Sequence, residues 1–194
     1  MKKERIDVMF DLETFSTNTD KGLVLSCAWV PFHLDGSPVE GVEPGLVYFD
    51  KCSSLNYGRI VDFDTMAWWM RQPNYEEMQS NLEKFKMDFA LGWCKVYAEL
   101  SAIANHYKLV VWSRGIDFDF PLIQSCFRDA HITTKLPWQY YNKCDVRTLV
   151  KIAELTGFKR IVRAEGWQQH DAFDDCLFQI KEVQAALAHL GYKK

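Results

Sequence analysis

Leu109-Val110-Val111-Trp112 is an unbroken apolar run between two segments of helical period. Alternate residues of a strand face opposite sides. A run that is apolar at every position therefore predicts a strand covered on both faces, as in parallel sheets. Before it, 88–106 sets Phe89, Trp93, Val96, Leu100 and Ile103 on one helical face. After it, 119–130 carries Leu122, Ile123, Cys126 and Phe127. The first third of the chain reads differently. Residues 5–11, 23–33 and 46–49 are rich in strand formers, with Asp35-Gly36-Ser37-Pro38 as a turn, and their short connections predict an antiparallel meander. Residues 51–62 have no clear period. Asp64 is the expected cap of a helix that Pro73 ends, and Asn74 the cap of a short one with Glu76 and Glu77 in its first turn. Helices at 146–155, stopped by Gly157, and at 172–190 follow. Strands first, then a strand alternating with helices, predict an α/β fold: one domain over 1–194, with a mixed sheet and helices on its faces.

Composition narrows the function classes. The chain has 194 residues, 48% of them hydrophobic and 14% aromatic, enough for a sizeable core. No apolar run reaches the length of a membrane span. The charged start, Met1-Lys2-Lys3-Glu4-Arg5, precedes only a short apolar run broken by Asp7, which argues against a signal peptide and for a cytosolic protein. Cys27, Cys52, Cys94, Cys126, Cys144 and Cys176 include no Cys-x-x-Cys pair, so they are expected to be free, mostly buried thiols. The net charge of −3 gives no sign of a nucleic-acid partner and excludes none, because a local groove and bound cations can gather phosphate.

Three acidic stretches stand out. Asp11 and Glu13 end the first apolar run two residues apart, so on a strand both aim at one point. Two such charges repel unless a cation separates them, and hard divalent ions prefer oxygen ligands. An isolated Asp-x-Glu is more often a solvated strand end. The second stretch, Val111 to Leu122, lies where the buried strand turns into a helix; Gly115 allows a sharp turn there, and Asp117 or Asp119 can be an N-cap. The third, His170-Asp171-Ala172-Phe173-Asp174-Asp175, is partly explained by Asp171 as N-cap and Asp174 as the N3 acid. His170 and Asp175 are left without a structural role.

Asp11-x-Glu13, an Asp at a strand-to-helix turn, and His170-x-x-x-x-Asp175 follow the order of the DEDDh 3′–5′ exonucleases, and the chain resembles that family from residue 8 to about 185. Within that family it is similar to the subgroup of phage exonucleases and RNase T-like exoribonucleases. Trp112 to Pro121, Cys144-Asp145-Val146-Arg147-Thr148, Asp64 to Trp69, and His170-Asp171 with Asp175-Cys176 carry the likeness. It implies an RNase H-like fold, two divalent cations (Mg²⁺ or Mn²⁺) on Asp11, Glu13, Asp119 and Asp175, and His170 as general base. The family's second acid follows a Phe, which favours Asp119 over Asp117; the five-residue step from His170 favours Asp175 over Asp174. Many relatives carry Asn where this chain has Gly115, which puts a substrate contact in doubt.

The implied reaction is hydrolysis of single-stranded DNA or RNA from the 3′ end to 5′-mononucleotides, in the host cytoplasm if the protein is phage-encoded, with no membrane partner. Such hydrolysis needs an activated water and a stabilised leaving oxygen, and two metals about 3.5–4 Å apart serve both. Thr14 and Phe15, beside the acids, and Trp69 are the expected substrate contacts, since aromatics stack on unpaired bases at ~1–3 kcal/mol each. Helix geometry sends one of Trp68 and Trp69 into the core, and the sequence does not say which. His170 is expected on a mobile loop with Gly166, Gln168 and Gln169, acting as base and not as ligand. Competing readings are a non-catalytic nucleic-acid-binding module and a partner-binding protein docking through Trp68 and Trp69; the presence of all five motif residues argues for catalysis. The sugar preferred, the metal used and the oligomeric state stay open.

Overall fold

The computed structural model describes residues 3–132, 135–163 and 168–192. Its first strand, β1 (Arg5–Thr14), is the axis of the sheet. On one side β2 (Val24–Phe32) runs antiparallel to it, followed by β3 (Gly45–Phe49). The expected meander is therefore present. α1 (Lys51–Asn56), α2 (Phe63–Trp69) and α3 (Tyr75–Phe85) lead to β4 (Lys86–Met87), which pairs with β3 in parallel. α4 (Phe89–His106) crosses to β5 (Lys108–Ser113), the buried run, which lies parallel to β1. α5 (Asp119–Asp129), β6 (Lys143–Asp145), α6 (Val146–Leu155) and α7 (Ala172–His189) complete the order β4-β3-β2-β1-β5-β6. This is the mixed α/β sheet with helices on both faces that the patterning predicts.

Alternation along β1 sorts the two cores. Ile6, Val8, Phe10 and Leu12 pack with Trp93, Val96, Leu100, Phe120 and Ile123 under α4 and α5. Met9 joins Ala28, Val30, Val110 and Trp112 against Val146, Val150, Cys176, Ile180 and Val183 of α6 and α7. Each Val, Leu, Ile, Met or Phe among them contributes ~1.5–3 kcal/mol when fully buried. A third cluster, Phe15, Leu23, Leu25, Trp69, Met78 and Leu82, fixes α2 and α3 as an arm beside the end of β1. By parity Asp11 and Glu13 share the α7 face with Met9. β5 accompanies β1 only as far as Met9↔Trp112, so both acids lie beyond the last β5 pair, where the chain direction of β1's two neighbours differs. Crevices at the carboxyl ends of strands are the habitual ligand sites of such sheets.

Several local expectations are corrected. α2 begins after Asp62, not Asp64, and the Asp62 carboxylate accepts the Thr17 N–H at 2.8 Å instead of capping the helix. The stretch without period holds α1, whose Asp50 accepts from Ser53 N at 2.7 Å. Gly115 is not in the left-handed region, and a Cβ there would meet nothing closer than 3.7 Å, so the turn does not require glycine. Phe118, neither Asp117 nor Asp119, stands at the N-cap of α5. Of the six thiols only Cys27, Cys126 and Cys176 are buried, while Cys52 and Cys94 are exposed. Gly157 does end α6: with φ +93° it gives its N–H to Glu154 O, while Phe158 N reaches Ala153 O, a Schellman closure.

Candidate active site

The open end of β1 forms one wall of a cleft of about 570 Å³, lined by Asp11, Glu13, His170 and Asp175 together with Arg114, Arg160 and Arg163. α7 supplies the facing wall. Asp175, Gln179 and Glu182 recur at i, i+4 and i+7, so the otherwise apolar buried face of this helix carries one polar stripe. Gln179 Nε2 donates to Asp11 Oδ1 at 2.7 Å. Glu182, only 2% exposed, pairs with Arg114 from the turn after β5. Arg163 pairs with Asp175, donates to Gln168 O at 3.1 Å and lies over the Phe178 ring. Glu13, His170 and Asp175 each place a ligand atom within 4.8 Å of the other two. Asp119 opens α5 as a buried carboxylate, whereas Asp117 is exposed.

Burial dominates the electrostatics. It pushes the Asp11 carboxyl well above its usual range, and the charges of Glu13, Asp175 and Asp119 add to the rise. Glu13 is raised in the same way, first by burial, then by Asp175, Asp171 and Asp119, with Arg163 pulling back. Asp119 is pushed up to about 7 by burial, against opposing pulls from Ser113, the Gly115 backbone and Arg147. Burial lowers the His170 imidazole below its ordinary 6.5; Asp175 raises it and Arg163 lowers it further. The donor set is several crowded carboxylate oxygens and one nitrogen, which suits hard divalent cations.

His170 adopts φ 63°, the left-handed region, at a cost of ~1–3 kcal/mol for a non-glycine residue. On its C-terminal side Asp171 caps α7, accepting from Phe173 N and Asp174 N at 3.0 Å each. The capping box is only half formed, because the Asp174 carboxylate accepts the Gln168 N–H at 2.9 Å and not the N-cap N–H. On its other side Asn74 Nδ2 donates to Gln169 O at 3.0 Å and His170 O at 3.2 Å. The Trp68 ring stands edge-on to the imidazole with centroids 4.7 Å apart. Gly166, the fourth residue of the expected loop, lies outside the described residues.

The expected substrate contacts divide. Trp69 is 1% exposed and spends its indole N–H on Thr14 O at 2.8 Å, and Phe15 is 6% exposed within the same cluster, so both belong to the core of the arm. Trp68, 37% exposed, is the ring of the pair that faces solvent. Thr14 follows Glu13 at the irregularity in the β1–β2 register, its hydroxyl donating to Ser16 O at 2.9 Å. Sequence reasoning missed Gln179, Arg163 and Asn74. Gln179 had a visible signal, a polar position on the apolar stripe of a helix; Asn74 acts on carbonyls some 95 residues away, and Arg163 lies on a segment without period, so neither had one.

A family profile described as the 3′-5′ exoribonuclease Rv2179c-like domain matches residues 6–187. An exodeoxyribonuclease of Enterobacteria phage T4 is 26% identical over 207 residues, covering 94% of this chain and 89% of the phage protein. Among solved structures, an exonuclease I from Methylocaldum szegediense shares the fold at TM-score 0.67 and 14% identity, over 95% of this chain and 40% of that one. E. coli exonuclease I in complex with a dA16 oligonucleotide does so at 0.67 and 13%, over 95% and 41%. A zinc-ion-bound form of the E. coli enzyme with single-stranded DNA matches at 0.67 and 12%, over 96% and 41%. This chain thus spans about two fifths of the length of those exonuclease I chains.

Proposed function

This chain belongs to the 3′–5′ exoribonuclease Rv2179c-like family, and from that premise we propose that it removes 5′-mononucleotides from single-stranded 3′ ends of DNA or RNA. Asp11, Glu13, Asp119 and Asp175 hold two divalent cations, Mg²⁺ or Mn²⁺, and His170 is the general base. The observation that carries this reading is the convergence of Glu13, His170 and Asp175 within 4.8 Å at the strand end that also bears Asp11. When bound, the cations supply Lewis-acid polarisation of the scissile phosphate and neutralise charge building on the leaving 3′-oxygen. With the cations in place the carboxylates, whose pKa values burial raises in their absence, would be ionised and hold position. His170, with its pKa held down by burial, is neutral near pH 7 and free to accept a proton from the attacking water. Asp175 then faces the imidazolium that results. Trp68, the exposed ring beside His170, takes over the base contact expected of Trp69.

The relatives bear on the substrate in different ways. The family's description names an exoribonuclease, the phage protein is an exodeoxyribonuclease, and the E. coli enzyme is seen with single-stranded DNA. Matched 5′-labelled DNA and RNA oligomers, digested with Mg²⁺, Mn²⁺ or excess chelator, test both substrate and metal. Stepwise shortening that needs a divalent ion and disappears in Asp11→Asn is expected. Undiminished shortening in chelator, or full activity in Asp11→Asn, overturns the metal assignment.

A further inference from the structure

We propose that Asn74 is a positioning residue for His170, acting from the turn between α2 and α3 on the backbone of the turn that presents the imidazole. The inference deepens the reading above and rests on His170 being the base.

Asn74 stands at the N-cap of α3, where an asparagine normally accepts an N–H of its own first turn. It makes no such bond. Its amide turns outward instead and donates to two successive carbonyls, Gln169 O and His170 O, some 95 residues away in sequence. Carbonyls only accept, and the two hydrogens of one amide match two acceptors, so the amide's orientation follows from its partners. The residue it grips is one of two non-glycine residues at positive φ among those described. Such a conformation persists only where the surroundings over-determine it. Asp171 fixes the far side of the turn through its cap on α7, and Asn74 fixes the near side.

The arm that carries Asn74 is itself tied to the acids. Trp69 Nε1 donates to Thr14 O, the residue after Glu13. Gln168 Nε2 donates to Glu77 at 2.6 Å, a second tie between α3 and the His170 segment. A short chain of contacts therefore runs from Glu13 through Thr14, Trp69 and α2 to Asn74 and His170. It sets the distance between a proposed metal ligand and the proposed base without passing through α7. Asn74 spends its amide on two backbone carbonyls and not on a proposed metal ligand, so its loss should fall in kcat and not in binding.

Asn74→Ala and Asn74→Asp, each in the wild-type and His170→Ala backgrounds, are assayed for kcat and KM on a 5′-labelled single-stranded oligonucleotide. Mg²⁺ or Mn²⁺ affinity by calorimetry and Tm are measured on the same proteins. In the wild-type background both variants should lose about 10–100-fold in kcat, as small misplacements of a catalytic group do. KM and metal affinity should stay within about twofold. Aspartate caps helices as well as asparagine, so Asn74→Asp keeps the fold while replacing the donor with an acceptor. A role confined to capping α3 predicts an active Asn74→Asp, and that result overturns the proposal. In His170→Ala the Asn74 substitutions should add less than about twofold, the non-additivity of residues acting through one another. An equal loss in both backgrounds overturns the positioning role while leaving the base assignment intact. Full activity in His170→Ala alone overturns the base assignment, and the positioning role with it.

Discussion

Asp119 is a carboxylate set at odds with its surroundings by burial, which pushes its pKa up to about 7 from an ordinary value near 3.8. The folded state therefore holds its proton more tightly than the unfolded chain, and the associated stability is present below about pH 4 and lost as pH rises through about 7. Asp119→Asn should accordingly stabilise the metal-free protein at pH 8 by on the order of 1–3 kcal/mol, and change little at pH 4. Urea titrations at the two pH values check this; a mutant less stable than wild type at pH 8 refutes it. His170 works in the opposite sense, since burial lowers its pKa, so the rate should stay flat through neutrality and fall on the acid side as the imidazole protonates. His170→Ala should cost roughly 10²–10⁴ in kcat, with metal affinity by calorimetry preserved because all four carboxylates remain. If affinity collapses with the rate, His170 is a ligand, which its 4.8 Å grouping with Glu13 and Asp175 permits.

The elements that hold these residues were legible to different degrees, and the reason is physical. β5 and α4 announce themselves by apolar period because their side chains build the core. α7 does so too; His170, Asp175 and the two β1 acids stand out by spacing along single elements, but the roles expected of them came from the family resemblance and not from the spacing. β4 and β6 are two and three residues long and exist through backbone pairing with a neighbour, which leaves no mark on side-chain pattern. Asn74 and Arg163 were illegible for the same reason: their partners come from packing, not from period. The pair Trp68–Trp69 shows the limit well, since period says one ring is buried and only the Thr14 carbonyl says which. β3 offers a test at this scale. Gly45 pairs with Trp29 across the sheet, and a Cβ there would lie 1.9 Å from the indole ring. Gly45→Ala must displace Trp29 and should cost ~1–3 kcal/mol, the usual penalty of overpacking. Because β3 lies two strands from β1, which carries Asp11 and Glu13, activity per folded molecule should be retained; an unchanged Tm refutes the steric argument.

Across the molecule, the cleft exists because β1 has an antiparallel neighbour on one side and a parallel one on the other. β5 ends before Asp11, and β2 continues to the register shift at Thr14. Fold and charge therefore oppose each other at one place: the core that buries β1 also drags carboxylates out of water. Divalent cations relieve that opposition, so their binding should appear as stability. At a free concentration about 100 times Kd, a ligand that binds only the folded state adds ~2.7 kcal/mol. For a domain of this size each kcal/mol moves Tm by about 2–4 °C, so saturating Mg²⁺ or Mn²⁺ should raise Tm by roughly 5–11 °C over chelator. Asp11→Asn removes one charge of the cluster and the acceptor of the Gln179 amide remains as the Asn carbonyl. Its chelator Tm should rise above wild type while most of the metal-induced shift is lost. Differential scanning calorimetry of the two proteins, with each metal and with chelator, measures all of these shifts together. A wild type whose Tm ignores divalent ions, or an Asp11→Asn protein that keeps the full shift, places the metal elsewhere.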